Sequence, residues 1–381
     1  MTHPITNSRI AYLVRLRTSH PVFVGHALFA FAVAALFADW RGWRVRTALA
    51  FGIVAGAFAA VPDVDVAYAF VGLAHWVTAD GSVSAPTAFW DASRATHRSI
   101  THSLLVATIA APAFGFLAAA ISGPSRRVAL GAAVVLSGGL VVLAVAAGPL
   151  TAMVLTVFLV AGGLVTVVAT RETTLTPAWI GIAALWGLWS HPWGDLLTGD
   201  PPAFLFPLDR TLFEARVIVS SDPTLHLLSA FAVELGAIVF ATLTVFYLTE
   251  RDPVVAFDVR GSVGALYGVS VLFLTPPTLD VSYHFVFSIL GVGVLVGTIR
   301  TVPFSLGLGG SRSGPFGWSM GEPNGDGGWS RLCSIRRTLP PSASTELEPP
   351  TLDDVLAGVL TAIGAISAAL LTYTMGYLLV S

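Results

Sequence analysis

His26 in FVGHALFA, Asp63 and Asp65 in VPDVDV, His97 and His102 in THRSITHS, and His191 and Asp195 in SHPWGD all stand at the ends of apolar runs. Imidazole and carboxylate together form a donor set that suits zinc, manganese or iron. An ion held by such groups lowers the pKa of bound water toward neutrality, and a second ion could clamp a phosphate. The chemistry expected is metal-assisted hydrolysis with one or two divalent ions, zinc first and manganese next. Whichever carboxylate is not a ligand, Asp65 or Asp195, would serve as general base. Arg98 would hold an anionic substrate such as a phosphate, with Ser103 as a second substrate contact.

Spacing sharpens these roles. His191 and Asp195 are four residues apart, about 40° around a helix, so Asp195 either binds the ion or orients His191. His97 and His102 are five apart, about 140°, and share an ion only if the helix starts between them. Ser99 or Thr101 would then be its N-cap. Asp63 and Asp65 face one side only if PDVDV is extended, which Pro62 permits. Pro192 should kink or end its helix nearby. Taken singly, each group also fits an interfacial histidine, a turn or an ordinary helix pair; their joint occurrence carries the reading. His3, His20, His75, His226 and His284 have no partner in the pattern and read as interfacial or packed. Glu234 lies in the middle of an apolar run with no basic partner in view, as a functional suspect or a protonated acid.

The elements that must position these groups are membrane helices. Of the 381 residues, 55% are hydrophobic and 11% charged, against about 25% charged in soluble domains. The mean hydropathy is +0.78. A helix needs roughly 20 apolar residues to cross the hydrocarbon core. Runs of that kind fall near 21–38, 46–61, 102–121, 127–147, 150–169, 176–198, 224–249, 261–275, 283–300 and 354–379. The expected fold is all-α, a multi-pass transmembrane bundle of about ten spans in the cell membrane. Residues 1–20, with RIAYLVRLR, read as an interfacial segment before a retained first helix. Residues 21–223 form the metal-site domain and 224–300 add further helices. Residues 301–353 form a disordered Gly/Ser/Pro-rich loop, and 354–381 hold a last helix.

Alternating spans put all the candidate ligands on one face. That face was assigned by counting helices, without reference to the ligands, so the agreement supports their meeting. Arginines divide 7 on this face and 13 on the other. The positive-inside rule then turns the ligand face outward, although Arg9, Arg15 and Arg17 argue the reverse. The lone Cys333 excludes an intrachain disulfide framework and a cysteine zinc site, and no basic run points to nucleic acid.

These elements resemble the YdjM-like family of membrane-bound metal-dependent hydrolases. The resemblance rests on His26, the PDVD of Asp63 and Asp65, HRSITHS at 97–103, Ser190 with His191 and Asp195, and Pro207 in LFPLD. It covers residues 20 to about 210, with Ser99 where the family often has Gly and Pro192–Trp193 where it has apolar residues. It leaves the C-terminal part unaccounted for. It implies a metal site held by His26, Asp63, Asp65, His97, His102, His191 and Asp195. The His/Asp order is also reminiscent of zinc-dependent phospholipase C and nuclease sites, which favours phosphoesters. A site at the bilayer surface points to a lipid or lipid-linked substrate. The rival reading is a divalent-metal or ion transporter, which calls for a second polar cluster deeper in the bundle. A third reading, a structural protein with a vestigial site, calls for metal binding without turnover.

Overall fold

The computed structural model describes residues 24–68, 77, 98–197, 199–279, 281–301 and 351–381. His97, the segment around His75, the N-terminal RIAYLVRLR stretch and most of the 301–353 loop lie outside them. The described chain is helical, with no strand among the described residues. Its main helices are α1 (Gly25–Trp40), α2 (Val45–Ala59), α3 (Leu104–Ser122), α4 (Arg126–Ala147) and α5 (Pro149–Glu172). They continue as α6 (Pro177–Gly194), α7 (Pro223–Leu248), α8 (Tyr283–Thr301) and α9 (Leu352–Val380).

Six helical segments are long and apolar enough to cross a membrane: Val45–Val66, α3, α4, α5, α7 and α9. The remaining spans anticipated from sequence fall short for separate reasons, the one expected at 283–300 because Tyr283–Ile299 is one of the shorter apolar helices. α1 has only 16 residues. α6 is diluted by Trp179, Trp186, Trp189, Trp193 and His191. The run expected at 261–275 is a 3-10 helix, Val259–Leu272. At about 2.0 Å rise per residue it reaches further than an α-helix of equal length. It packs on α9, where Gly261 and Gly264 bring its backbone against Thr361 and Ala365.

Two apolar clusters organise the bundle. The first joins α2, α3, α5 and α6 through Phe51, Phe58, Phe114, Phe158 and Leu188. The second joins α7, α8 and α9 through Phe231, Phe285, Ile289, Ile366 and Tyr373. α1 packs on α2, α6 and α7 and so touches both halves. Its buried face is almost all alanine, from Ala30 to Ala38, facing Gly52 and Gly56 of α2. Within lipid, small residues of this kind let helix backbones approach closely.

α3 begins after the two sequence histidines, not between them. Ile100–His102 is a single 3-10 turn, and Ser103 is the N-cap of α3, accepting from Val106 N at 3.3 Å. Neither Ser99 nor Thr101 caps α3. The PDVDV segment is likewise a 3-10 helix, Pro62–Tyr68, and not extended. α6 runs through Pro192 and stops two residues later, giving way to a 3-10 turn at Asp195–Leu197.

A second strip of chain braces the start of α3. Ala203 N donates to Arg98 O at 2.9 Å and Leu104 N to Phe204 O at 2.8 Å. The Ser103 hydroxyl donates to Phe206 O at 2.7 Å, next to the cis Phe206–Pro207 peptide. Ser103→Ala should therefore lower the thermal midpoint in detergent by more than a cap alone, whose loss costs about 1 kcal/mol. Ser103→Thr should recover much of it. An unchanged midpoint for Ser103→Ala would show that the brace holds without this side chain.

Candidate metal centre

Four element ends converge at one end of the first bundle. α1 brings His26 in its first turn, the 3-10 helix after α2 brings Asp63 and Asp65, the turn before α3 brings His102, and the end of α6 brings His191 and Asp195. His102 Nε2 and His191 Nε2 lie 3.1 Å apart. Asp63 Oδ1 is 3.3 Å from His191 Nε2 and 3.8 Å from His102 Nε2. Asp63, His102 and His191 thus offer three ligand atoms within 4.8 Å of one another. Tetrahedral zinc with bonds of about 2.0–2.1 Å has donor atoms roughly 3.3 Å apart. The donor types and separations therefore fit a small divalent ion. Both histidines are fully buried, while Asp63 keeps some exposure.

Asp195 stands against this triad. Its Oδ2 is 3.1 Å from His102 Nε2 and 3.7 Å from His191 Nε2. Its Oδ1 meets Arg98 Nη2 at 3.2 Å and His26 Nε2 at 3.5 Å. The other face of His26 meets Glu234 on α7, Nδ1 to Oε1 at 3.4 Å. His26 is thus placed between two carboxylates, outside the triad. Arg98, expected to be open to an anion, is 8% exposed and pairs with Asp195. Its Nη1 donates to Asp200 O at 3.1 Å. The backbone of Arg98 has φ +64, a left-handed conformation that costs a non-glycine residue about 1–3 kcal/mol. Its contacts to Asp195, Asp200 and Ala203 hold it there.

In a 3-10 helix, residues two apart point to different sides. Asp63 accordingly faces the Nε2 side of His102, and Asp65 its Nδ1 side, at 3.6 Å. The Thr101 hydroxyl donates to Asp65 Oδ2 at 2.9 Å and lies 2.9 Å from His102 Nδ1. With its proton given to Asp65, the Thr101 oxygen can accept from His102 Nδ1–H, the tautomer that would turn Nε2 toward Asp63 and His191 as a ligand atom. Outer-shell carboxylates orient metal-binding histidines in this way. His191 is oriented by packing, edge-on to His26 at 5.0 Å and His102 at 4.8 Å between ring centroids. Ser103 is committed to the cap and the brace described above.

Among the described residues, Asp63, Asp65, Asp195 and Glu234 bring more negative charge than Arg98 alone offsets. Charge at this depth is costly unless paired or bound to a cation.

A sequence model of the YdjM inner membrane protein family matches residues 22–275. The chain belongs to this family. It is a multi-pass membrane protein, as the family's placement in the inner membrane and the apolar helices require. No curated protein and no solved structure gives a significant match. The family match extends past the residue near 210 where the sequence motifs end, and takes in α7 and the 259–272 helix. Glu234 therefore lies inside the family region, and the structure supplies the partner that sequence reading missed, His26. The only signal was an ionisable residue in the middle of a span.

Close approach makes this arrangement possible. A Cβ at Gly194 would overlap the His26 ring. Gly194→Ala should destabilise the protein by about 1–3 kcal/mol, the usual cost of overpacking. In a His26→Ala background the same substitution should cost almost nothing, because the ring it strikes is gone. Thermal unfolding of the four-variant cycle in detergent measures this, and additive losses would reject the contact.

Proposed function

We propose that this protein is an integral membrane metal-dependent hydrolase acting on a phosphoester at the bilayer surface. The observation that carries the reading is the separation of His102 Nε2, His191 Nε2 and Asp63 Oδ1 by 3.1, 3.3 and 3.8 Å. These three atoms would hold the ion. Two imidazoles and one carboxylate suit zinc, with manganese or iron as alternatives. Catalytic zinc sites commonly use three protein ligands and leave a position open to water or substrate. When bound, the ion polarises a phosphoryl oxygen and makes water a competent nucleophile near neutral pH.

The other residues divide the remaining work. Asp195 Oδ2 lies beside the triad, which supports a role for it as acceptor of the proton of the attacking water. Arg98 and His26 hold its other oxygen, Oδ1, so the acceptor is aimed and its charge offset. Asp65 and Thr101 keep the His102 proton on Nδ1. A negatively charged substrate would compete with Asp195 for Arg98.

The transporter reading called for a second polar cluster, and Glu234 was its only candidate. Glu234 joins the first cluster through His26 instead, which favours the hydrolase.

Purified protein should carry a divalent metal by elemental analysis, and Asp63→Ala and His191→Ala should each lose it. Thr101→Val should keep the ligands but weaken zinc affinity by about 10–100-fold, as loss of an outer-shell partner does. A screen of phosphodiesters and phospholipids should find metal-dependent turnover that His102→Ala abolishes. Protein that binds no metal, with products unaltered by His102→Ala, would end this reading. Metal uptake into proteoliposomes without hydrolysis would establish the transporter.

A further inference from the structure

Among the described residues, grooves open on the surface of the bundle, one of them between α7 and α9 (about 450 Å³) with only serine and threonine as polar lining. Another lies between α3 and α6 (about 480 Å³) and another between α2 and α5 (about 600 Å³), and neither reaches the metal centre. A fourth, of about 430 Å³, lies between α1, α6 and α7. Small-molecule sites commonly span about 300–1,000 Å³, so size does not choose among them. What distinguishes the fourth is its floor. Its walls are Phe29, Trp193, Leu197, Val233, Ala237 and Phe240, while His26 and Glu234 form its base.

Glu234 is 8% exposed, and its Oε2 has no hydrogen-bond partner among the described residues. A buried acceptor left without a donor is destabilising, and each such atom in a native protein asks for an occupant. From this base a single imidazole leads to the metal centre, since His26 touches Glu234 on one side and Asp195 on the other. The outer rim is open: Val233 is 55%, Phe29 44% and Phe240 36% exposed. α7 is one of the helices able to cross the membrane, so an exposed apolar rim on it suits acyl chains. The groove therefore connects an apolar rim at one end with ionisable groups at the other.

We propose that this groove receives one aliphatic chain of a bilayer lipid and delivers its polar end to the metal centre. Glu234 Oε2 accepts a hydrogen bond from a hydroxyl on that polar end. Gly25 and Ala237 keep the floor accessible, since a Cβ at Gly25 would overlap the Glu234 carboxylate. The lipid's identity as substrate rests on the hydrolase reading above, whereas occupancy of the groove does not.

The test uses the full chain in phosphatidylcholine nanodiscs with a lysophosphatidic acid whose single chain carries a diazirine. After irradiation, peptide mapping should find label concentrated on Phe29, Val233 and Phe240, above the lipid-facing Val135 and Val142 of α4. Ala237→Trp, which fills the groove, should lower that label about tenfold, the effect of a direct steric clash. Val142→Trp, an equally bulky change on an exposed face, should leave the pattern intact. A probe lacking the glycerol hydroxyl should label the groove about fivefold less, the factor of one ordinary hydrogen bond. Glu234→Ala should erase that preference.

Label spread evenly over the bundle would overturn the proposal. So would an unlabelled groove, the result expected if residues preceding α1 or another protein fill it. Groove labelling in a protein that hydrolyses no phosphoester would remove the hydrolase reading and leave the groove. Metal-dependent turnover of bis(p-nitrophenyl) phosphate with an unlabelled groove would do the reverse.

Discussion

Concentrated negative charge within a bundle of membrane-crossing helices is the constraint from which the rest of this structure follows. Asp63, Asp65 and Asp195 lie within 4 Å of the rings of His26, His102 or His191, and Glu234 sits directly behind. Such a cluster persists only if each carboxylate meets a donor or a cation. The protein meets this demand unevenly. Asp65 accepts from a hydroxyl, and Asp195 Oδ1 meets a guanidinium and the ring of His26. Asp63 faces the two Nε2 atoms, where a divalent ion would contribute most. Asp63 and the two imidazoles converge there at separations that suit a divalent ion.

Holding that cluster falls to irregular backbone more than to the long helices. Every candidate site side chain except His26, His191 and Glu234 sits on a 3-10 turn or a loop: Asp63 and Asp65 after α2, Arg98 through His102 before α3, Asp195 after α6. Irregular backbone at this depth requires hydrogen-bond partners, because lipid supplies none. The 98–104 and 200–206 segments provide them to one another through Ala203, Phe204 and Phe206. The strained backbone of Arg98 is the point where this brace and the site meet. The same residue that accepts from Ala203 N also carries the guanidinium that fixes Asp195.

Much of this was legible in the sequence, and what was hidden had physical causes. Helix positions followed from apolar runs to within a few residues, and His102, His191 and Asp63 meet as their types and spacing implied. The cap of α3 was not legible, because Ser99, Thr101 and Ser103 are equally good caps by residue type. A tertiary contact to Phe206 selects Ser103. The form of PDVDV was also hidden: Pro62 tolerates both an extended strand and a 3-10 turn, and packing decides. The consequence is large, since it sends Asp63 and Asp65 to opposite sides of one imidazole instead of to one metal. Glu234 was visible as an anomaly but not as a member of the site, since its partner lies on a helix far away in sequence.

The tolerance of Glu234 in the middle of a membrane-crossing helix has its own explanation. Its carboxylate lies against Gly25, the first residue of α1, where a Cβ would leave it no room. The first amides of a helix have no intrahelical acceptors, and the helix dipole places partial positive charge there. A carboxylate in mid-span of α7 thus lies against the first turn of α1, with Oε1 facing the ring of His26 and Oε2 turned to the groove. One helix start thus joins the two apolar halves of the bundle and secures the outermost carboxylate of the site.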